Sequence, residues 1–221
     1  MASWIVHLRV ADKIINNLEG VSTTDFVIGN IGPDCGEPNE NWTQYNPPKK
    51  ITHWMNESKR ICPELFYDQY IREEDKAKDF SKYSFYLGYY VHLLTDVAWK
   101  KEISLPTEKL YAHEFSMEDR DTVYARIKED WYDLDFLFLK NNPGFRAYEV
   151  FKESKDYNND YLPYYSNRAI PKQIRYIREF YDGPHGQLQR EYKYLSSGKM
   201  DKFVEQCSIG IMKVLKDKKI I

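Results

Sequence analysis

The residues His92 and Asp96 form the first pair in the sequence that could do chemistry. In a helix, residues four apart lie on one face with their Cβ atoms about 5–6 Å apart, so the pair could hold one metal ion from one side. The neighbouring residues are apolar or aromatic, and a buried carboxylate is unfavourable unless it is paired or bound to a metal. Taken alone, the pair favours a simpler interpretation, in which the aspartate accepts a hydrogen bond from a core histidine.

Three more segments place an acid or an imidazole beside apolar sequence. Asp34 follows a Gly-Pro turn, His53 lies in a short and weakly apolar stretch, and His7 lies on the apolar face of the first predicted helix. Each has a plain structural explanation by itself, such as the capping of a turn by an aspartate. Together with the first pair they offer imidazole and carboxylate groups, a suitable set of ligands for zinc or a similar divalent ion.

These groups occur in a fixed order along the chain. The order is His7, then residues 28–34 (Ile-Gly-Asn-Ile-Gly-Pro-Asp), residues 52–54 (Thr-His-Trp) and residues 87–96 (Leu-Gly-Tyr-Tyr-Val-His-Leu-Leu-Thr-Asp). In this order the motifs resemble the zinc-dependent phospholipase C family, whose all-α fold is similar to that of S1/P1-type nucleases. The likeness covers roughly the first 140 residues.

The resemblance implies a metal site and a reaction. Asp34, His53, His92 and Asp96 would hold one metal ion, and Asp96 would bridge to a second ion that also takes His7. One or two divalent ions, with zinc as the expected metal, would activate water for the hydrolysis of a phosphoester. Asp34 and Asp96 are the catalytic candidates, because they would hold the ions that activate this water. A small phosphoester, a nucleotide and a lipid headgroup all remain possible substrates.

The sequence departs from the family pattern in two places. Secreted members use a mature amino-terminal tryptophan as a metal ligand, whereas Trp4 is internal here. The family's further His…His-x-x-x-Glu group is also missing, since the histidines that follow residue 96 are His113 and His185, which we interpret as a surface residue and a turn residue. We therefore expect no three-zinc site. The departures motivate an alternative, a non-catalytic metal-binding or scaffold protein that retains the fold.

Residues 130–135 could supply a replacement ligand. Asp130 is in phase with the apolar face of its predicted helix, whereas Asp133 is in phase with a mixed and wetter face. Because a carboxylate on a buried face has more need of a metal, we predict Asp130 as a further ligand. A hydrogen-bonded core aspartate is the alternative.

The elements that must position these residues are helical nearly throughout. Loops are predicted at residues 35–50 and 155–170, and a capping box at Ser116 and Asp119. The hydrophobic period predicts helices over residues 3–18, 25–31, 63–73, 79–101, 117–140, 146–154, 171–181, 187–195 and 200–217. No alternating strand pairs are visible, so the sequence predicts a multi-helix, all-α fold in a single domain of residues 1–221.

Composition excludes several other classes of protein. A chain of 221 residues can bury a real core, and its net charge of −2 offers no obvious nucleic-acid surface. Charges interrupt every apolar run before the roughly 20 residues of a membrane span, so we expect no stable membrane insertion and a cytoplasmic location. No His-Asp dipeptide, P-loop or GxSxG elbow occurs, which excludes the common alternatives among hydrolases.

Overall fold

Helices form most of the described structure. A computed structural model describes residues 1–41, 44–74, 78–158 and 160–220, so residues 42–43 and 159 of the predicted loops lie outside the described residues. The α-helices within those ranges are α1 (Trp4–Ile15), α2 (Thr23–Ile31), α3 (Lys49–Thr52), α4 (Pro63–Tyr70), α5 (Phe80–Trp99), α6 (Leu105–Leu110), α7 (Ala112–Met117), α8 (Arg120–Asn141), α9 (Arg146–Glu153), α10 (Ala169–Asp182) and α11 (Ser197–Asp217). The predicted all-α fold is confirmed.

Short irregular elements join these helices. A 3₁₀ helix, Gly32–Asp34, directly follows α2, and a π-helix, Lys100–Ser104, connects α5 to α6. The strands β1 (Glu37–Pro38) and β2 (Tyr45–Asn46) pair in an antiparallel hairpin. This hairpin is a small correction to the expected loop over residues 35–50.

The crossing of α2 and α5 brings two backbones into contact. A Cβ atom at Gly29 would lie 2.0 Å from the carbonyl oxygen of Phe85, and a Cβ atom at Gly88 would lie 2.0 Å from that of Phe26. Only glycine permits such an approach. The side-chain amide of Asn30 also donates a hydrogen bond across the crossing to the carbonyl of Gly88 at 3.2 Å. The two glycines therefore set how closely α2 lies against α5.

The core surrounds α5, which is buried along most of its length. Trp99, Tyr89 and Tyr90 on this helix are fully buried. Buried hydrophobic residues of α1, α2, α4, α8, α9, α10 and α11 join them in one cluster. None of the helices in the described ranges is both long and apolar enough to cross a membrane.

Several predicted element boundaries need correction. Residues 187–195 are not helical. Asp119 caps α8 by accepting hydrogen bonds from two backbone N–H groups, whereas the hydroxyl of Ser116 donates to the carbonyl of His113 at 2.7 Å, so the two residues form no capping box. The helical path continues beyond the predicted end at residue 101, through the π-helix and into α6, with Pro106 in the first turn of α6.

Candidate metal centre

Five of the six predicted ligands lie together in the core. His7 comes from α1, Asp34 ends the 3₁₀ helix, His53 directly follows α3, and His92 and Asp96 lie one turn apart on α5. The three imidazoles and Asp96 have no exposed side-chain surface, and Asp34 is 11% exposed. Residues from four separate segments thus converge at one position.

The five side chains form two overlapping groups. His7, His92 and Asp96 form one group, and Asp34, His53 and His92 form the other; in each, the candidate ligand atoms lie within 4.8 Å of one another. The two groups share His92, whose ring stacks on that of His7 with centroids 3.7 Å apart.

The two oxygens of Asp96 face different histidines. Oδ1 lies 3.3 Å from Nε2 of His7, whereas Oδ2 lies 3.5 Å from Nε2 of His92 and 3.7 Å from Nε2 of His53. On the other side of the centre, Oδ1 of Asp34 lies 3.3 Å from the same nitrogen of His53. Asp96 therefore faces histidines of both groups, in addition to the shared His92.

Local structure aims two of the imidazoles at the carboxylates. Nδ1 of His92 donates a hydrogen bond to the carbonyl of Asn30 at 2.7 Å, which leaves Nε2 facing Asp96. Nδ1 of His53 lies 2.9 Å from the hydroxyl of Thr52. Partners of this kind fix the orientation of metal-binding histidines. The Asn30 carbonyl can reach the imidazole because the glycines at the helix crossing let α2 lie against α5.

The atoms that face the centre have no hydrogen-bond partners. Nε2 of His7, His53 and His92 and Oδ2 of Asp96 are all buried and unpartnered. A buried polar atom without a partner is unfavourable, and most such atoms in proteins are satisfied. Imidazole nitrogens and carboxylate oxygens are suitable ligands for zinc. The residues present therefore fit a divalent metal ion.

Electrostatics keeps the carboxylates ionised. Burial alone would raise the pKa of Asp96, but the Met1 ammonium group and the adjacent His7 and His92 imidazoles outweigh it and hold the pKa well below its usual range. For Asp34, the nearby imidazoles of His53, His92 and His7 likewise outweigh burial and lower the pKa. The backbone N–H of Ala2 donates a further hydrogen bond to Oδ1 of Asp96 at 2.8 Å.

The two stacked histidines have different protonation tendencies. Burial and the adjacent His92 lower the pKa of His7 to about 4, so His7 is neutral at ordinary pH. Burial also acts to lower the pKa of His92, but the adjacent carboxylate of Asp96 outweighs it and raises that pKa. A metal ligand must be neutral imidazole, and His7 already meets this condition.

The structure does not bring Asp130 to this centre. Its Oδ1 accepts a hydrogen bond from Arg190 at 2.7 Å and its Oδ2 accepts one from the backbone N–H of Tyr194 at 2.6 Å. The helical phase correctly indicated that the residue is buried. The partners, however, come from a segment 60 residues further along the chain. The structure therefore favours the alternative interpretation, in which Asp130 is a hydrogen-bonded core aspartate and not a metal ligand.

Sequence reasoning missed the residues that orient the ligands. Asn30 acts through its backbone carbonyl, which no residue pattern identifies, and Thr52 could have been noticed only as a hydroxyl next to His53. His113 and His185 are both exposed, as expected for surface and turn residues.

Comparison with known proteins identifies a family. The sequence profile described as zinc dependent phospholipase C matches residues 6–117, just over half of the chain and the part that contains all five converging residues. No curated protein and no solved structure gives a match. The chain belongs to the zinc-dependent phospholipase C family.

Proposed function

We propose that the protein hydrolyses a phosphoester with the help of one or two divalent ions, zinc being the expected metal. The observation that carries this proposal is that four buried, unpartnered candidate ligand atoms lie together in two overlapping groups in the core. Membership of a zinc-dependent family supports the same conclusion. When bound, such ions lower the pKa of bound water toward about 7 and polarise a phosphoryl oxygen.

The five residues divide between two positions. Asp34, His53 and His92 would hold one ion with Asp96, and His7 would hold the other, again with Asp96. The support for a bridging role is that the two carboxylate oxygens of Asp96 face different histidines. The hydrogen bond from Nδ1 of His92 to a backbone carbonyl keeps Nε2 free for its role as a ligand.

Asp34 is the member of the centre with exposed side-chain surface, because the other four residues have none. We call the side of the centre at Asp34 its open side. A substrate would approach from there. Cys35, the next residue, does not compete as a ligand or a nucleophile. Its thiol donates a hydrogen bond to the carbonyl of Ile31 at 3.5 Å, and burial raises the pKa of Cys35 well above its usual value.

The first test compares two buried aspartates. Asp96→Asn removes the proposed bridge, whereas Asp130→Asn changes a buried carboxylate that lies outside the centre. We expect elemental analysis to find zinc in the wild-type protein and in Asp130→Asn, and almost none in Asp96→Asn. Full zinc content in Asp96→Asn would contradict the bridging assignment.

The second test addresses catalysis and substrate. The zinc-loaded protein is assayed on a panel of phosphomonoesters, phosphodiesters, nucleotides, lipid headgroup esters and nucleic acids. We expect turnover of at least one small phosphoester, and loss of that turnover in Asp96→Asn but not in Asp130→Asn. Bound zinc with no turnover on any compound would favour the non-catalytic alternative.

A further inference from the structure

A lysine lies beside the open side of the metal centre. Lys49 begins α3, and its carbonyl accepts a hydrogen bond from the backbone N–H of His53 at 2.9 Å. Because residues four apart in a helical turn share one face, Lys49 lies on the same face as His53. The helix α3 also packs against the 3₁₀ helix that ends at Asp34, the candidate ligand at the open side.

Lys49 is not paired with an acid. Its ammonium group lies 4.4 Å from the ring centre of Tyr45, a cation–π contact, and no carboxylate in the described parts of the chain lies within ion-pair distance. The adjacent Lys50 differs, because it forms an ion pair with Glu57 at 2.7 Å. The two neighbouring lysines therefore have different roles, and only Lys50 has its charge balanced.

A second lysine comes from α8. Lys128 lies one helical turn before Tyr132, whose ring packs against Trp4 with centroids 6.2 Å apart. Burial raises the pKa of Tyr132, and the charges of Asp135 and Asp34 raise it further. Desolvation and the positive charge of Lys49 lower the pKa of Lys128, although the charge of Asp121 acts in the opposite direction. None of the ion pairs between described residues includes Lys128.

We propose that Lys49, supported by Lys128, binds a second anionic group on the substrate, beside the phosphoester that the metal centre holds. This inference rests on the proposed function and narrows its substrate class to phosphoesters with a further phosphate or carboxylate. Two neighbouring ammonium groups that form no ion pairs repel each other, and an anion between them removes that repulsion. Lysine is a common phosphate ligand that acts as a point charge.

The test compares ligands with one and two anionic groups. Calorimetry measures the binding of methylphosphonate and of methylenediphosphonate to the zinc-loaded wild type, Lys49→Gln, Lys128→Gln and the matched control Lys50→Gln. We expect Lys49→Gln to weaken diphosphonate binding about tenfold, the effect of one charge-assisted hydrogen bond. Methylphosphonate binding should change less than twofold, and Lys50→Gln should bind both ligands as the wild type does.

Two further measurements identify the source of the anion and separate the two proposals. The first measurement compares the binding of soluble glycerophosphoserine with that of phosphatidylcholine vesicles that contain phosphatidylserine. It shows whether the ligand that depends on Lys49 is a small molecule or a lipid headgroup. Weaker binding by Lys49→Gln in either case supports the assignment. Equal diphosphonate affinities in wild type and Lys49→Gln would overturn it. Zinc content of the same samples tests the proposed function separately, since wild-type protein without zinc contradicts that function whatever the lysine variants show.

Discussion

Asp135 on α8 is a carboxyl group held inside the protein without an ion-pair partner among the described residues. It is fully buried, and its oxygens accept hydrogen bonds from the hydroxyl of Ser3 at 2.9 Å and from that of Tyr181 at 2.6 Å. Burial raises the pKa of Asp135 to about 7, although these two hydrogen bonds and the charge of Arg9 act in the opposite direction. The stability of the fold should therefore depend on the protonation of this group.

The sign and size follow from the two pKa values. The unfolded chain has the usual aspartate pKa of 3.8, and the folded protein has the higher value of about 7. Between these values the folded protein keeps a proton that the unfolded chain releases, so the free energy of unfolding falls as pH rises from about 4 to about 7. A difference of about 3 pKa units corresponds to a loss of about 4 kcal/mol, which levels off above pH 7.

Asp135→Asn tests this prediction because the amide resembles the neutral carboxyl group. Its oxygen can accept from one hydroxyl and its NH₂ can donate to the other, since serine and tyrosine hydroxyls both donate and accept. Urea denaturation from pH 4.5 to pH 8 gives the difference in unfolding free energy between variant and wild type. We expect this difference to rise by about 3 kcal/mol in favour of the variant across the range.

Other titrating groups cancel in this difference because both proteins contain them. Asp130→Asn, on the same helix, keeps Asp135 and should keep the wild-type dependence of stability on pH. A constant offset between Asp135→Asn and wild type at every pH would refute the reasoning, because it would mean that Asp135 does not change protonation between pH 4.5 and pH 8.

Three further predictions follow from contacts around the centre. Gly88→Ala should lower the free energy of unfolding by about 3 kcal/mol, because its Cβ would meet the Phe26 carbonyl, and denaturant titration measures this. Thr52→Val should weaken zinc binding about tenfold in a chelator competition, since it removes the hydroxyl beside Nδ1 of His53; unchanged affinity would count against an orienting role. Asp130→Asn should lower the thermal midpoint yet retain the wild-type zinc content, and loss of zinc would restore Asp130 as a ligand.

The sequence was sufficient to predict the helical fold and to select five candidate ligands that the structure brings together. The period of apolar residues predicted most of the helices, and the spacing of His92 and Asp96 fixed them on one face of α5. The order of motifs then connected them with His7, Asp34 and His53, which come from other segments. Spacing within a helix can be derived from geometry, whereas the meeting of segments required the family resemblance.

Tertiary partners limited what the sequence could predict. Helical phase identified Asp130 as buried, but burial alone does not say whether a carboxylate binds a metal or a guanidinium group. The answer came from Arg190, in a segment that had been predicted as helical and is not. The Asn30 carbonyl that orients His92 was equally hidden, since it depends on how closely two glycines let α2 approach α5.

If the proposed function holds, the metal centre connects the stability of the fold with its chemistry. Each unpartnered atom of His7, His53, His92 and Asp96 is a buried polar group that costs about 1–3 kcal/mol when it has no hydrogen bond. Ligation to an ion gives all of them a partner, so zinc binding should raise the stability of the fold as well as supply its chemistry. The close helix crossing would then have two roles, because the same glycines that let α2 and α5 pack closely also bring the Asn30 carbonyl to His92.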